Sequence, residues 1–233
     1  MRDLNDINIE YADIEELIHE GGKPVESIED HRAVLLNKYL LISDAESADD
    51  VRDYGSLPGF EDLRMICLHN EDAAACLLDD GGFTTRKDCS QWVYTGDEID
   101  LNEIFENCNI SDEAAFRSLS SLHADRISGL INEDYKYIEK RIRANAMTGL
   151  YVGHTLAGFV GTHEAGSIGM VYVYPRFRGL GLGRLLEAYA VNEQLYNDCI
   201  PFLHVVDGNE VSEHLQETLG FTRCESPAIW LFR

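Results

Sequence analysis

Arg178-Gly179-Leu180-Gly181-Leu182-Gly183-Arg184 decides the reading of this chain, because of what stands on either side of it. Upstream, Val171-Tyr172-Val173-Tyr174-Pro175 carries the β-branched and aromatic residues of a strand, stopped by a proline. Downstream, Leu182, Leu185, Leu186, Tyr189 and Ala190 recur at helical spacing. A glycine turn at this junction exposes the first N–H groups of the helix, which have no intrahelical partner, and lets them converge on an anion. Arg178 and Arg184 add guanidinium charge. A pyrophosphate is the anion that such a nest favours.

Two other phosphate motifs fail on context. A dinucleotide fingerprint needs the first strand of a parallel βαβ unit and an acidic residue about 20 positions on, at a strand end. That region here is Cys199-Ile200-Pro201-Phe202, which has no acid, and the chain has no Gly-Lys-Ser or Gly-Lys-Thr of a Walker loop.

Working outward, Ser111 reads as the N-cap of a helix through Ala115, Leu119 and Leu122, followed by a second helix with Tyr135, Ile138 and Ile142. Strands are expected at 149–153, 156–162 and 167–174, and again at 201–206. A helix over 211–219, stopped at Gly220-Phe221, and a strand at 228–232 complete a mixed α/β pattern. In the first half, a strand at 63–68, Asn70, a helix-length stretch, Gly82-Phe83-Thr84 and Trp92 echo the order 201–206, Asn209, helix, Gly220-Phe221-Thr222 and Trp230. A duplicated supersecondary unit accounts for the echo. Residues 33–43 fit one helix or a hairpin turning at Asn37-Lys38, with the hairpin preferred, and the polar stretch 96–110 reads as a linker.

Composition narrows the function. The chain has 233 residues and a net charge of -23, with 27 acidic and 8 basic side chains in residues 1–110 against 15 and 11 in 111–233. Such a surface repels polyanions, so nucleic acid is not an expected partner. The acidity either steers a cationic acceptor, docks a basic protein, or serves solubility. No apolar run suits a bilayer span, the six cysteines form no CxxC pair, and the eight histidines show no metal-binding spacing. The expectation is a cytoplasmic protein with no metal and no membrane partner.

The turn, with its strand-Pro-x-x-Arg-Gly approach and the later Asn209, Ser212 and Leu219-Gly220-Phe221, resembles the GNAT superfamily of N-acetyltransferases over roughly residues 110–233. Arg178, Gly181 and Gly183 fill the signature. The acidic half resembles a degenerate partial copy, as in tandem glycine N-acyltransferase-like proteins, and lacks the signature altogether. The resemblance implies a GNAT-like domain at 109–233 after a degenerate one at 1–108. It implies an N-acyltransferase moving an acetyl or short acyl group from acetyl-CoA to a primary amine of a small molecule or peptide. A non-catalytic acyl-CoA-binding module is the alternative, and a homodimer is left open. Coenzyme A is expected on main-chain groups near Val171 and Val173, on Arg178, Gly179, Leu180, Gly181, Leu182, Gly183 and Arg184, and near Asn209. Where many members carry an acidic Tyr this chain has Gln216, leaving water, Tyr189 or Tyr196 to substitute. The base is expected at His204 or Glu164.

Overall fold

The computed structural model describes residues 7–233 except Glu29, Ser111 and Asp112. Along the chain run α1 (Ala12–His19), β1 (Lys23–Pro24), β2 (Ala33–Leu36), β3 (Leu40–Ser43), α2 (Ala48–Val51), β4 (Met65–Leu68), α3 (Glu71–Asp80) and β5 (Thr85–Val93). Next come α4 (Leu101–Glu106), β6 (Ala114–Ser118), α5 (Ala124–Ile131), α6 (Tyr135–Arg143), β7 (Met147–Val152), β8 (Thr155–Thr162) and β9 (Ile168–Val173). The last elements are α7 (Leu182–Tyr196), β10 (Phe202–Val206), α8 (Glu210–Leu219) and β11 (Thr222–Phe232). They form two compact units. One runs to Thr95 and resumes at Phe202–Arg233, and the other is Gly96–Pro201. The polar stretch 96–110 opens the second unit, and residues 202–233 return to the first.

The first unit is a seven-stranded mixed sheet in the order β1-β2-β3-β4-β11-β5-β10. Its β2–β3 hairpin turns at Asn37 and Lys38, both at positive φ, within a three-residue loop closed by the Leu36–Leu40 pair, with the Tyr39 N–H donating to Leu36 O. The segments β4–α3–β5 and β10–α8–β11 interlock, each placing its second strand beside the first strand of the other. Exchanging the two maps the order β4-β11-β5-β10 onto itself. Asn70 and Asn209 cap α3 and α8 alike, each accepting from the N–H three residues on. Tyr54, Phe60, Leu63, Ile66, Leu77, Phe83, Ile229 and Leu231 form the core on the α3 side. β11 runs well beyond the expected 228–232 because its ladder with β5 slips between Arg223 and Pro227, and Glu10 accepts from the freed N–H groups of Glu225 and Ser226 at 2.9 and 2.8 Å.

The second unit is an antiparallel meander, β6-β7-β8-β9. One face packs on α5 and α6 through Ala124, Ile127, Ile138, Ile142, Phe159 and Tyr174. α7 lies on the other, and Gly158 admits it: a Cβ there would meet Leu186 Cδ1 at 2.8 Å and Tyr172 O at 2.6 Å. The helix expected through Ala115, Leu119 and Leu122 is instead β6. Its register against β7 sets Ala115 opposite Tyr151, Leu119 is buried, and Leu122 is 93% exposed. Ladder pairing has overridden an apolar spacing that also fitted a helix, and the expected cap, Ser111, lies outside the described residues. The stretch read as a linker contains α4, capped by Asp100 and burying Ile104, and Asn192 on α7 exchanges two 2.8 Å hydrogen bonds with Ile99.

Candidate functional site

The quoted turn sits where the sequence places it, between β9 and α7. After Tyr174 the chain makes one 3₁₀ turn, Pro175–Phe177, and straightens at Arg178. Gly179 (φ +74°) and Gly181 (φ +83°) are both left-handed, and Gly181 is the N-cap of α7. Among the described residues, none of the main-chain N–H groups of Gly179, Leu180, Gly181, Leu182 and Gly183 donates to a protein carbonyl. The carbonyl of Leu180 points the other way and accepts from the Asn109 N–H at 3.2 Å, which braces the turn from behind. Nothing lies within 4 Å of the space a Cβ on Gly179 would fill. The Arg178 Nε donates to Val173 O at 3.0 Å, and its guanidinium carbon lies 5.5 Å from the Tyr172 ring centre. The side chain is thereby held against the end of β9.

β9 itself is irregular. Its ladder with β8 slips between Phe159 and Gly161, and Met170 adopts φ +52°, a left-handed conformation that costs a residue with a Cβ on the order of 1–2 kcal/mol. This bulge redirects the peptide leading into Val171, in the strand that the turn follows.

A mixed sheet, a meander, and a glycine turn at the head of a helix narrow the comparison. Residues 148–231 match the family described as FR47-like protein. No curated protein sequence matches the chain. Among solved structures, a Drosophila protein aligns with a TM-score of 0.63 at 18% identity, covering 87% of this chain and 73% of its own. A GCN5-related N-acetyltransferase-like protein from Streptococcus suis aligns over 100% of this chain and 96% of its own, with a TM-score of 0.57 at 14% identity. The chain has the GNAT fold. A GCN5-related N-acetyltransferase from Kribbella flavida is similar at a TM-score of 0.53 and 11% identity, over 96% of this chain and 94% of its own.

Within this GNAT fold the expected acid and base groups are held by other partners. His204, on β10, lies between Gln91 Oε1 at 2.9 Å and the indole Nε1 of Trp230 at 3.1 Å. Gln91 donates its amide N–H groups to Ile9 O and Glu10 O, so its oxygen accepts from His204 Nε2–H. Nδ1 then accepts from Trp230, leaving a neutral imidazole whose lone pair is taken. Glu164 lies in the β8–β9 turn with its carboxylate 9% exposed and paired to Lys140. Ser167, in the same turn, is buried and accepts from the His163 N–H through its carbonyl. Asn209 Oδ1 is engaged as the α8 cap, accepting from the Ser212 N–H at 3.3 Å.

The substitutes for the missing acid fare no better. Gln216 is wholly buried on α8, and an amide is no proton donor of suitable strength. Tyr189 stacks on Phe116 at 3.9 Å between ring centres. Tyr196 is 88% exposed, and sits about 21 Å along the α7 axis from Leu182.

Three groups escaped the sequence reading. Asp13, Cys67 and His69 gather in the core of the first unit with their ligating atoms within 4.8 Å of one another, a cluster that no linear spacing foretells. His69 Nε2 donates to both Asp13 oxygens at 3.2 and 3.1 Å, and Nδ1 donates to Pro227 O at 2.9 Å. An imidazole that donates at both nitrogens is the imidazolium, so Asp13 and His69 form a buried ion pair, with His204 Nε2 a further 3.7 Å from Asp13 Oδ2. The Cys67 thiol, its pKa pushed up by burial and then by Asp13, stays protonated beside it.

Proposed function

We propose that the chain is an N-acyltransferase that moves an acetyl or short acyl group from acyl-CoA to a primary amine of a small molecule or peptide. The single observation that carries this reading is the set of unpaired amides at Gly179–Gly183, fixed at the N-terminus of α7 by two left-handed glycines. That geometry fits a diphosphate, with Arg178 and Arg184 beside it. When bound, coenzyme A supplies the activated thioester; this chain supplies the anion cradle and the bulged edge of β9. Acetyl-CoA at a hundredfold excess over its Kd should stabilise the fold by about 2.7 kcal/mol, a readily measured thermal shift. An unchanged melting temperature at saturating acetyl-CoA would remove the proposal.

The proton of the incoming ammonium we assign to Glu164, a carboxylate beside the solvent-facing Lys140, whereas the His204 lone pair is held by Trp230. Glu164→Gln should lower kcat about a hundredfold with little change in melting temperature. His204→Gln should lower the melting temperature and leave the shape of the pH–rate profile intact. The reverse pattern would move the base to His204. The buried Gln216 and the closed His204 also favour a second reading, a silent acyl-CoA-binding module, which thiol release from acetyl-CoA with any amine would exclude.

We further propose that residues 1–108 descend from a partial copy of 109–233. The interlocked β4–α3–β5 and β10–α8–β11 segments support this, and the absence of the signature from the first half limits the chain to one coenzyme site.

A further inference from the structure

Cys67 and His69 stand two apart, Cys67 on β4 and His69 just past its end, so their side chains share one face of the strand. β4 runs inside the seven-stranded sheet, where Cys67 lies opposite Ile42 on β3 and Trp230 on β11. To that face α1 brings Asp13, 54 positions before Cys67. All three side chains are buried, Asp13 and Cys67 wholly and His69 to 8% exposure. A carboxylate, a thiol and an imidazole seldom meet inside a core, since each polar group costs free energy to bury. Each is also a metal donor.

Their spacing is that of a coordination shell. His69 Nε2 stands 3.1 Å from Asp13 Oδ2, Cys67 Sγ lies 4.0 Å from the same oxygen, and the three ligating atoms are within 4.8 Å of one another. Donor atoms around a tetrahedral zinc ion, at bond lengths of about 2.0–2.3 Å, are separated by roughly 3.3–3.8 Å. Side-chain adjustments shorter than a covalent bond close the difference. The outer contacts agree. His69 Nδ1 donates to Pro227 O at 2.9 Å, the kind of bond by which a metal-bound imidazole is oriented, and it turns Nε2 toward Asp13 and Cys67. Asp13 Oδ1 accepts from the Ile14 N–H at 2.9 Å, which holds the carboxylate. His204 Nε2, 3.7 Å from Asp13 Oδ2, donates to Gln91, and its other nitrogen accepts from Trp230, so His204 borders the site without offering a lone pair.

We propose that Asp13, Cys67 and His69 form a site for one divalent cation of the zinc class, bound through a carboxylate oxygen, a thiolate and imidazole Nε2, with a small exogenous ligand in the fourth position. Thiolate and imidazole donors select such an ion over magnesium or calcium, which take oxygen ligands. Charge balances on binding. The Asp13–His69 ion pair and the neutral thiol sum to zero, and a dication that displaces the Nε2 proton and the thiol proton leaves the same sum. The core exchanges two protons for one cation without acquiring the uncompensated charge that burial penalises. In the metal-free chain the Nε2 proton takes the cation's place, and the ion pair is that form of the site. The cation ties α1 to β4 within the first unit, so the proposal stands or falls independently of the acyltransferase reading.

The test is titration of the full chain with cobalt(II) and zinc(II) after a chelator has removed bound metal. Because the ligands are buried, each ion is supplied both to the folded chain and during refolding from urea. One equivalent of cobalt should give a thiolate-to-metal charge-transfer band and the visible absorption of a tetrahedral ion, and zinc should displace both. Cys67→Ser should abolish the charge-transfer band, whereas Cys76→Ser should keep it, since Cys76 packs with Ile66 and Leu68 on the other face of β4. His69→Gln should weaken cobalt binding at least a hundredfold. Zinc should raise the melting temperature of the wild type and leave that of Asp13→Asn unchanged. The chain's 42 carboxylates can collect cations at the surface, but without sulfur they give no charge-transfer band. A band that survives Cys67→Ser overturns the site, and a wild-type chain that shows no band overturns it whether or not any variant folds.

Discussion

Gly181→Glu is expected to weaken acetyl-CoA binding by at least a hundredfold while the chain still folds. Three effects act together at this position. Gly181 holds φ +83°, which costs a residue with a Cβ on the order of 1–2 kcal/mol. An added Cβ would stand 3.2 Å from Cys108 Sγ, closer than the buried thiol tolerates without a shift of a few tenths of an ångström. The carboxylate would bring negative charge to the place proposed for the diphosphate, among amides otherwise free to bind it. A hundredfold loss corresponds to about 2.7 kcal/mol, well within what one misplaced charge and a displaced turn supply. Gly181→Ala separates the causes, since it carries the backbone strain and the contact with Cys108 without the charge, and should fall between wild type and the Glu variant. Calorimetric titration with acetyl-CoA, alongside circular dichroism to establish folding, reads both. A folded Gly181→Glu protein that binds acetyl-CoA as wild type does would show that the turn is only a turn.

What the sequence made legible is what depends on near neighbours in the chain. The meander, the 33–43 hairpin, the glycine turn and α7 are all written in local periodicity and turn chemistry, and all four are present. β6 was not legible because Ala115 and Leu119 suit a helix as well as a strand, and only the unpaired edge of β7, some thirty residues later, decides between them. The early part of β11 was hidden because Glu225-Ser226-Pro227 looks like a loop; it is held in the sheet by Glu10, more than two hundred positions away. The site divides in the same way. The glycine turn proposed to hold an anion is contiguous in sequence, whereas the state of His204 depends on Gln91 and Trp230, and the left-handed Met170 has no residue-type signature at all.

Asp13→Ala should destabilise the first unit by about 3–5 kcal/mol, because it removes one member of a wholly buried ion pair and leaves the other. In a chain of this length that is a fall of roughly 10 °C in melting temperature. Burial works against both charges, yet the Asp13 pKa is lowered by His69 and then by His204, and that of His69 is raised by Asp13, with Pro227 O accepting the second imidazolium proton. The signs set a window. Asp13, with its folded pKa depressed, contributes stability that is present above the unfolded carboxylate pKa of about 3.9 and lost as the pH falls through the lower folded value. His69, with its folded pKa raised, contributes stability that is complete below the unfolded imidazole pKa of about 6.5 and lost as the pH rises through the higher folded value. The gap in urea midpoint between wild type and Asp13→Asn should therefore be widest near pH 5 to 6 and should narrow toward pH 9 and toward pH 3. A gap that stayed constant from pH 5 to 9 would mean that His69 is neutral in the folded chain, against the two acceptors that now face its nitrogens. A pair of this kind joins α1 to the end of β4 and to the bulge in β11, three segments remote in sequence. Its loss should therefore loosen the seven-stranded sheet and leave coenzyme binding by the Gly96–Pro201 unit largely unchanged at 25 °C.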